Sequence, residues 1–64
     1  MSKIRRGGYV FLTWQGDHAP RHVDVYRGGR VELVWDLERR IPMRGAPTRR
    51  VLRLIRELEA EGRL

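Results

Sequence analysis

The stretch that decides the fold runs from residue 22 to residue 37 and reads His-Val-Asp-Val-Tyr-Arg-Gly-Gly-Arg-Val-Glu-Leu-Val-Trp-Asp-Leu. Apolar and polar side chains alternate on both sides of Gly28-Gly29. This alternation is typical of two half-buried antiparallel strands that are joined by a tight turn. The segment therefore predicts a β-hairpin, and the register of that hairpin decides which side chains face the core.

Two turns are compatible with this hairpin. A two-residue turn at Gly28-Gly29 would place Asp24 on the same face as Leu33. A three-residue turn, formed by residues 27–29, would place Val25 on that face instead and would use its last glycine as the bulge residue with positive φ. A shift of one residue exchanges the two faces of a strand. Burial of the valine therefore favours the three-residue turn.

The segments on either side of the hairpin and the loop after it differ in character. Residues 9–14, Tyr-Val-Phe-Leu-Thr-Trp, are rich in β-branched and aromatic side chains and predict a first strand. Residues 1–8 are basic and end in two glycines, so we expect a flexible basic tail. Residues 38–47 contain Pro42 and Pro47 and predict a connecting loop.

The C-terminal segment has a helical period. Apolar residues recur on one face between positions 49 and 61, namely Val51, Leu54, Ile55 and Leu58. Thr48 is a candidate N-cap, and Gly62 is a candidate for the residue that ends the helix. The predicted fold class is α+β: a small three-stranded antiparallel sheet with one C-terminal helix, in the order β-β-β-α, as a single domain over residues 9–64.

A chain of 64 residues forms a thin core, because a domain of this size buries only about 60% of the surface that its unfolded chain exposes. The sequence has no cysteine, which excludes disulfides. The first strand is apolar on both sides, with Tyr9 and Phe11 on one and Val10 and Leu12 on the other. We therefore expect a homodimer through the sheet face that lacks the helix. The alternative is that the tail or the 38–47 loop folds across that face.

Composition restricts the setting of the protein. The apolar run that follows the basic start is too short for a signal peptide, and no run approaches the length of a membrane span. The net charge is +6, and all but one of the 14 basic residues are arginine. These features predict a cytoplasmic protein without membrane association, and none of them indicates a cofactor.

Residues 16–24 read Gly-Asp-His-Ala-Pro-Arg-His-Val-Asp. This segment resembles the hallmark Gly-Asp-His-x-Pro-Pro-His-Phe-His of the small bacterial family catalogued as domain of unknown function 4160. The residues that correspond to the hallmark are Gly16, Asp17, His18, Pro20, His22 and Asp24. Arg21 and Asp24 depart from it, since they replace the second proline and the last histidine. The resemblance extends over most of residues 9–64 and implies a link to transcriptional regulators or toxin–antitoxin loci.

The side chains of His18, His22 and Asp24 are chemically suited to bind zinc or iron. No fourth ligand is evident beyond Glu32, and the same residues are equally suited to hydrogen bonds in a loop and on a polar sheet face. We therefore predict no metal site. The chain has no cysteine nucleophile, and its only serine is Ser2. The protein is accordingly not predicted to be an enzyme.

The arginines carry the main functional prediction. Seven of them, with no acidic residue between, occupy the stretch from residue 39 to residue 56: Arg39, Arg40, Arg44, Arg49, Arg50, Arg53 and Arg56. The helix acids follow only at its end, which is the reverse of the order that a helix dipole favours. Guanidinium groups beside a helix N-terminus are suited to phosphate binding. The alternative is a solvated basic face with pairs such as Arg53–Glu57 and an arginine content set by genome composition.

The sequence thus predicts a small basic nucleic-acid-binding module, as a regulator or toxin–antitoxin component, with DNA and RNA both open. The second hypothesis is a protein-interaction subunit whose open sheet face docks on itself or on a larger complex. A metal-dependent activity at His18, His22 and Asp24 is the third.

Overall fold

The structure is a computed structural model that describes residues 2–14 and 21–64, and these residues form one antiparallel sheet and one helix. The strands follow one another in the sheet in chain order, so the sheet is a meander. The elements are β1 Ser2–Arg6, β2 Tyr9–Thr13, β3 His22–Arg27, β4 Arg30–Asp36, β5 Ile41–Gly45 and α1 Arg49–Ala60.

The prediction of a three-stranded sheet is wrong, because the sheet has five strands. The expected tail forms β1, which turns back through Gly7 and Gly8 at positive φ and pairs with β2. Part of the expected loop forms β5, which pairs with β4. Pro42 is tolerated there because β5 is an edge strand, where a missing N–H leaves no ladder bond unmade. The α+β class and the C-terminal helix are as predicted.

The central hairpin uses the two-residue turn, not the predicted three-residue one. Arg27 pairs with Arg30 across Gly28 and Gly29, which both have positive φ. Tyr26 pairs with Val31, and the register then shifts between Tyr26 and Val25, so that Val25 pairs with Leu33. This bulge restores the face that burial requires, and the valines of β3 still point into the core.

The helix begins and ends at the residues that the sequence indicates. The Thr48 hydroxyl accepts a hydrogen bond from the backbone N–H of Val51 at 3.2 Å. At the other end Gly62 has a φ of 73°, and the N–H of Arg63 donates to the carbonyl of Leu58. These bonds are those of an N-cap and of a glycine that ends a helix, so both predictions are confirmed.

The core lies between α1 and one side of the sheet, which we call the inner face. Its strand residues are Ile4, Tyr9, Phe11, Val23, Val25, Leu33 and Trp35, and they pack against Val51, Leu54, Ile55 and Leu58 of the helix. Cross-strand partners share a face, and successive residues alternate. The opposite side, the outer face, therefore carries Lys3, Arg5, Val10, Leu12, His22, Asp24, Tyr26, Val31, Glu32, Val34, Asp36, Ile41 and Arg44.

Candidate nucleic-acid interface

The seven candidate arginines do not form one continuous surface. Arg39 and Arg40 lie in the turn between β4 and β5, whereas Arg44 lies on β5 at the outer face, across the sheet from the helix. The other four lie on α1, at Arg49, Arg50, Arg53 and Arg56. The structure therefore divides the predicted patch into a helix part, a turn part and an outer-face part.

Arg40 is held in an ion pair with the helix. Its Nη1 lies 2.9 Å from Oε2 of Glu59 and also donates to the carbonyl of Leu37. Its backbone has a φ of 61°, a left-handed conformation that is uncommon for a residue with a side chain. Arg40 thus fastens the β4–β5 turn to one flank of α1, and its charge is already compensated.

A second ion pair fastens the other flank of the helix. Arg6 of β1 donates from Nη1 and Nη2 to the two carboxylate oxygens of Glu61, at 2.6 and 2.8 Å, and Glu57 lies 3.8 Å away. The hydrogen bonds to Glu61 raise the pKa of the Arg6 guanidinium, and Arg6 in turn lowers the pKa of the Glu61 carboxyl. Two-point contacts of this kind fix orientation as well as charge.

Arg50 contacts the sheet on the same flank of α1 as Arg6 does. Its Nη2 donates to the backbone carbonyl of Gly7 at 3.0 Å. A Cβ added at Gly7 would lie only 2.9 Å from Leu54, so the turn between β1 and β2 packs directly against the helix. Arg50 is therefore partly engaged in holding the fold together.

The three remaining helix arginines, which we call the arginine stripe, are Arg49, Arg53 and Arg56. They are exposed and lie opposite the buried side of α1, because their spacing of four and three residues returns to the same side of a helix. Within the described part of the chain none of them is in an ion pair. The first turn of α1 also contains no acidic residue.

These contacts account for the reversed charge order of the helix. Its three glutamates are placed late in α1 and just after it because the arginines of the sheet and the turn reach the helix there. The Arg53–Glu57 pair considered from sequence is not formed, since Glu57 faces Arg6. Among residues 2–14 and 21–64, no acidic side chain forms an ion pair with the basic N-terminal part of α1, whose arginines are exposed.

Further basic residues lie on the outer face, where sequence reasoning did not place a site. Lys3 and Arg5 are exposed on β1, beside Leu12 and Val10, and Arg44 is exposed on β5, beside Val34. Lys3 and Arg5 were missed because β1 was expected to be a tail, whereas Arg44 was among the predicted arginines. The signal that would have indicated a strand is the alternation of polar and apolar residues, since the apolar Ile4 lies between the basic Lys3 and Arg5.

The residues of the family hallmark are only partly within the described chain. Gly16, Asp17, His18 and Pro20 lie outside the described residues. His22 and Asp24 point to the same face of β3, with Nε2 of His22 3.6 Å from Oδ1 of Asp24. Among residues 2–14 and 21–64 there is no group of three His, Asp or Glu side chains placed to hold a metal ion.

Asp36 has a structural role in the turn that carries Arg39. Its side chain is almost wholly buried, and its Oδ1 accepts hydrogen bonds from the backbone N–H groups of Glu38 and Arg39, both at 2.8 Å. Its carbonyl accepts from the N–H of Arg40. Asp36 therefore sets the path of the turn that brings Arg40 to Glu59.

Comparisons with protein-family models, with curated proteins and with solved structures find no match for this chain, so the family resemblance stays a prediction. None of the helices in residues 2–14 and 21–64 has the length and apolar character needed to cross a membrane.

Proposed function

We propose that the protein is a small nucleic-acid-binding module that contacts the phosphate backbone with the arginine stripe. The observation that supports this is the distribution of ion pairs: the helix glutamates face the arginines that fasten the fold, whereas Arg49, Arg53 and Arg56 have no acidic partner within the described chain. Unpaired arginines on a rigid element are suited to bidentate contacts with phosphate oxygens.

The dimensions of the stripe fit this use. Arg49 and Arg56 are seven residues apart, so they are separated by about 10 Å along the helix axis at about 1.5 Å per residue. Three base pairs of a duplex span about the same distance, at about 3.4 Å each along one strand. The stripe can therefore contact neighbouring phosphates along the edge of a groove.

The N-terminus of α1 adds to the positive potential of the stripe. Its partial positive charge and its N–H groups lie beside Arg49 at the start of the helix, and the Thr48 hydroxyl accepts only one of these N–H groups. We expect the stripe and the helix end to act together. A regulator or toxin–antitoxin role, which the family resemblance implies, is compatible with backbone contacts of this kind.

The test is the salt dependence of binding to a labelled DNA duplex and to a single-stranded RNA. We expect affinity to fall steeply with salt, because phosphate contacts release counterions, with a log–log slope of about −0.9 per contact on duplex DNA. Substitution of both Arg49→Ala and Arg53→Ala should weaken binding to all sequences about equally and should flatten the slope by roughly two units.

The matched control is the double variant Arg21→Ala and Arg30→Ala. It removes the same charge from exposed arginines away from the helix, so the slope should change far less. Both double variants should retain the circular dichroism spectrum of the parent, because no apolar contact is removed. Equal loss of affinity in the two variants, or binding by neither parent nor variant, would show that the stripe is not the interface.

A further inference from the structure

We propose a second binding surface: the outer face takes an amphipathic helix of a partner protein whose apolar stripe is flanked on both sides by acidic residues. This site is separate from the arginine stripe, because the whole sheet lies between the two. The proposal rests on the apolar centre and the basic edges of the outer face, and on the way in which the inner face of the same sheet is already covered.

The inner face shows which element this sheet accepts. Its centre is apolar, and its helix packs on that centre with glutamates on both flanks. Glu61 pairs with Arg6 on the edge strand β1, and Glu59 pairs with Arg40 at the start of β5. The helix is thus held by apolar contacts along its middle and by one Arg–Glu contact at each edge of the sheet.

The outer face repeats this arrangement of side chains. Its centre carries the half-buried residues Val10, Leu12, Tyr26, Val31 and Val34. At one edge Lys3 and Arg5 are exposed on β1, and at the other edge Arg44 is exposed on β5. An antiparallel sheet that faces only water usually carries polar side chains there. The apolar centre and the two basic edges match a helix with carboxylates on both flanks.

The charges disfavour a second copy of the chain as the occupant. In a face-to-face pair related by a two-fold axis, each edge strand lies over either the same edge or the opposite edge of the partner. Both edges of the outer face are basic, so Lys3 and Arg5 would meet either their own copies or Arg44. Like charges placed together across an interface are unfavourable. An acidic helix can pair with the basic side chains of both edge strands, since the acidic residues of this face that retain solvent exposure, Asp24 and Glu32, lie on the central strands β3 and β4.

Asp24 adds one requirement to the partner. Its Oδ1 is buried in the outer face without a hydrogen-bond partner among residues 2–14 and 21–64, and Nε2 of His22 lies 3.6 Å away. A buried acceptor that stays unsatisfied is costly once water is excluded. We therefore expect the apolar stripe of the partner to include a hydroxyl-bearing residue near its middle.

The experiment uses a synthetic helical peptide of about 18 residues, or five turns. Its apolar stripe is made of leucines with one central threonine, and glutamates lie on both flanks. Binding to the ¹⁵N-labelled full chain is followed by amide shifts, and affinity is followed by calorimetry. We expect the shifts to cluster on the outer-face residues of β2, β3 and β4. A peptide with lysine flanks and a peptide with a serine stripe should both bind at least about tenfold more weakly.

Charge reversal on the protein locates the site. The double variant Arg5→Glu and Arg44→Glu should weaken binding of the glutamate peptide by about tenfold or more, which corresponds to the loss of several surface ion pairs. The matched control, Arg49→Glu with Arg53→Glu, has the same net charge and should keep the peptide affinity within about threefold. The control should lose binding to duplex DNA, whereas the outer-face variant should keep most of it, so this site and the proposed function can fail independently.

Four results would overturn the proposal. The first is no binding of the glutamate peptide, and the second is equal loss of affinity in the two double variants. The third is a stable dimer in light scattering whose amide shifts with concentration map to the outer face, since a second copy would then occupy it. The fourth is a DNA or RNA titration that shifts the outer-face amides and leaves those of α1 unchanged.

Discussion

The inner and outer faces are built on the same five strands, yet only the inner one forms a core within the described chain. Phe11, Val23 and Val25 are fully enclosed between the sheet and α1. The outer-face residues that lie next to inner-face residues along the same strands, Val10, Leu12 and Val34, remain partly exposed. The strands themselves are therefore compatible with cover on either side. The presence of a helix, rather than the character of the strands, is what distinguishes the two faces.

The polar groups of the two faces also differ. Among the described residues, the inner face contains one buried side-chain polar atom without a hydrogen bond, Nε1 of Trp35. The outer face has Asp24 and His22 among its central side chains. The unsatisfied carboxylate oxygen of Asp24 favours a cover for the outer face that brings a hydrogen-bond donor.

The largest expected effect comes from the same truncation on the two faces. Leu33→Ala removes a side chain that is almost fully buried against α1, and we expect it to lower the free energy of unfolding by about 2–5 kcal/mol. Leu12→Ala, on the outer face, should lower it by about 1 kcal/mol or less, because that side chain is already in contact with water.

Urea titrations of the two variants measure this difference. A domain of this length has a total stability of only about 3–10 kcal/mol, so Leu33→Ala is expected to bring it close to unfolding at room temperature. Equal losses in the two variants would mean that the outer face, like the inner face, is covered in the free protein.

A smaller difference between two matched variants is expected at β5, which carries Arg44 to the outer face. Gly45 has a φ of 80°, and a Cβ there would collide with the backbone carbonyl of Glu32. Gly29 has nearly the same φ but has open space around it. We expect Gly29→Ala to lose about 1–2 kcal/mol from its backbone conformation alone. Gly45→Ala should lose about 1–3 kcal/mol more, because a rigid backbone neighbour must move.

Thermal unfolding of the two alanine variants separates the cost of the positive φ from the cost of the collision. Both variants have the positive φ, whereas only Gly45→Ala has the collision. If Gly45→Ala loses no more than Gly29→Ala, then β5 shifts without loss of stability. The position of Arg44 on the outer face would then not be fixed by this register.

The fold was predictable where periodicity and turn chemistry agree. The helical stripe, Thr48 and Gly62 identified α1 at both ends, since capping depends on residues that are close in sequence. The faces of the central hairpin were also predictable from burial. Its turn was not, because a bulge compensated for a two-residue turn, and a bulge leaves the alternation of the strand unchanged apart from one extra residue.

The outer strands and the division of the arginines could not be predicted for a different reason. β1 is basic and β5 contains a proline, so local propensity is weak in both, and each is a strand because a neighbour offers unpaired backbone groups. Arg6 and Arg40 lie far in sequence from the glutamates that they contact. Charge content predicted a basic protein, but only tertiary structure shows which arginines are already paired.

The smallest expected effect tests how the inner face holds its helix at the edge. Arg6 lowers the pKa of the Glu61 carboxyl, chiefly through its two hydrogen bonds. A carboxyl whose pKa is lower in the folded state contributes stability above its unfolded value of about 4.3, and this contribution is lost as the pH falls through the folded value. Glu61→Gln should therefore lower the melting temperature slightly at pH 7, by less than either preceding substitution, because the pair is exposed to solvent. The difference from the parent should shrink as the pH is lowered below about 4, and also when salt is added.

Glu38→Gln is the control, because the Glu38 side chain has no ion pair among the described residues. If the two glutamine variants differ from the parent equally at every pH, then Arg6 does not hold the helix through Glu61, and apolar contacts alone fix α1 on the inner face.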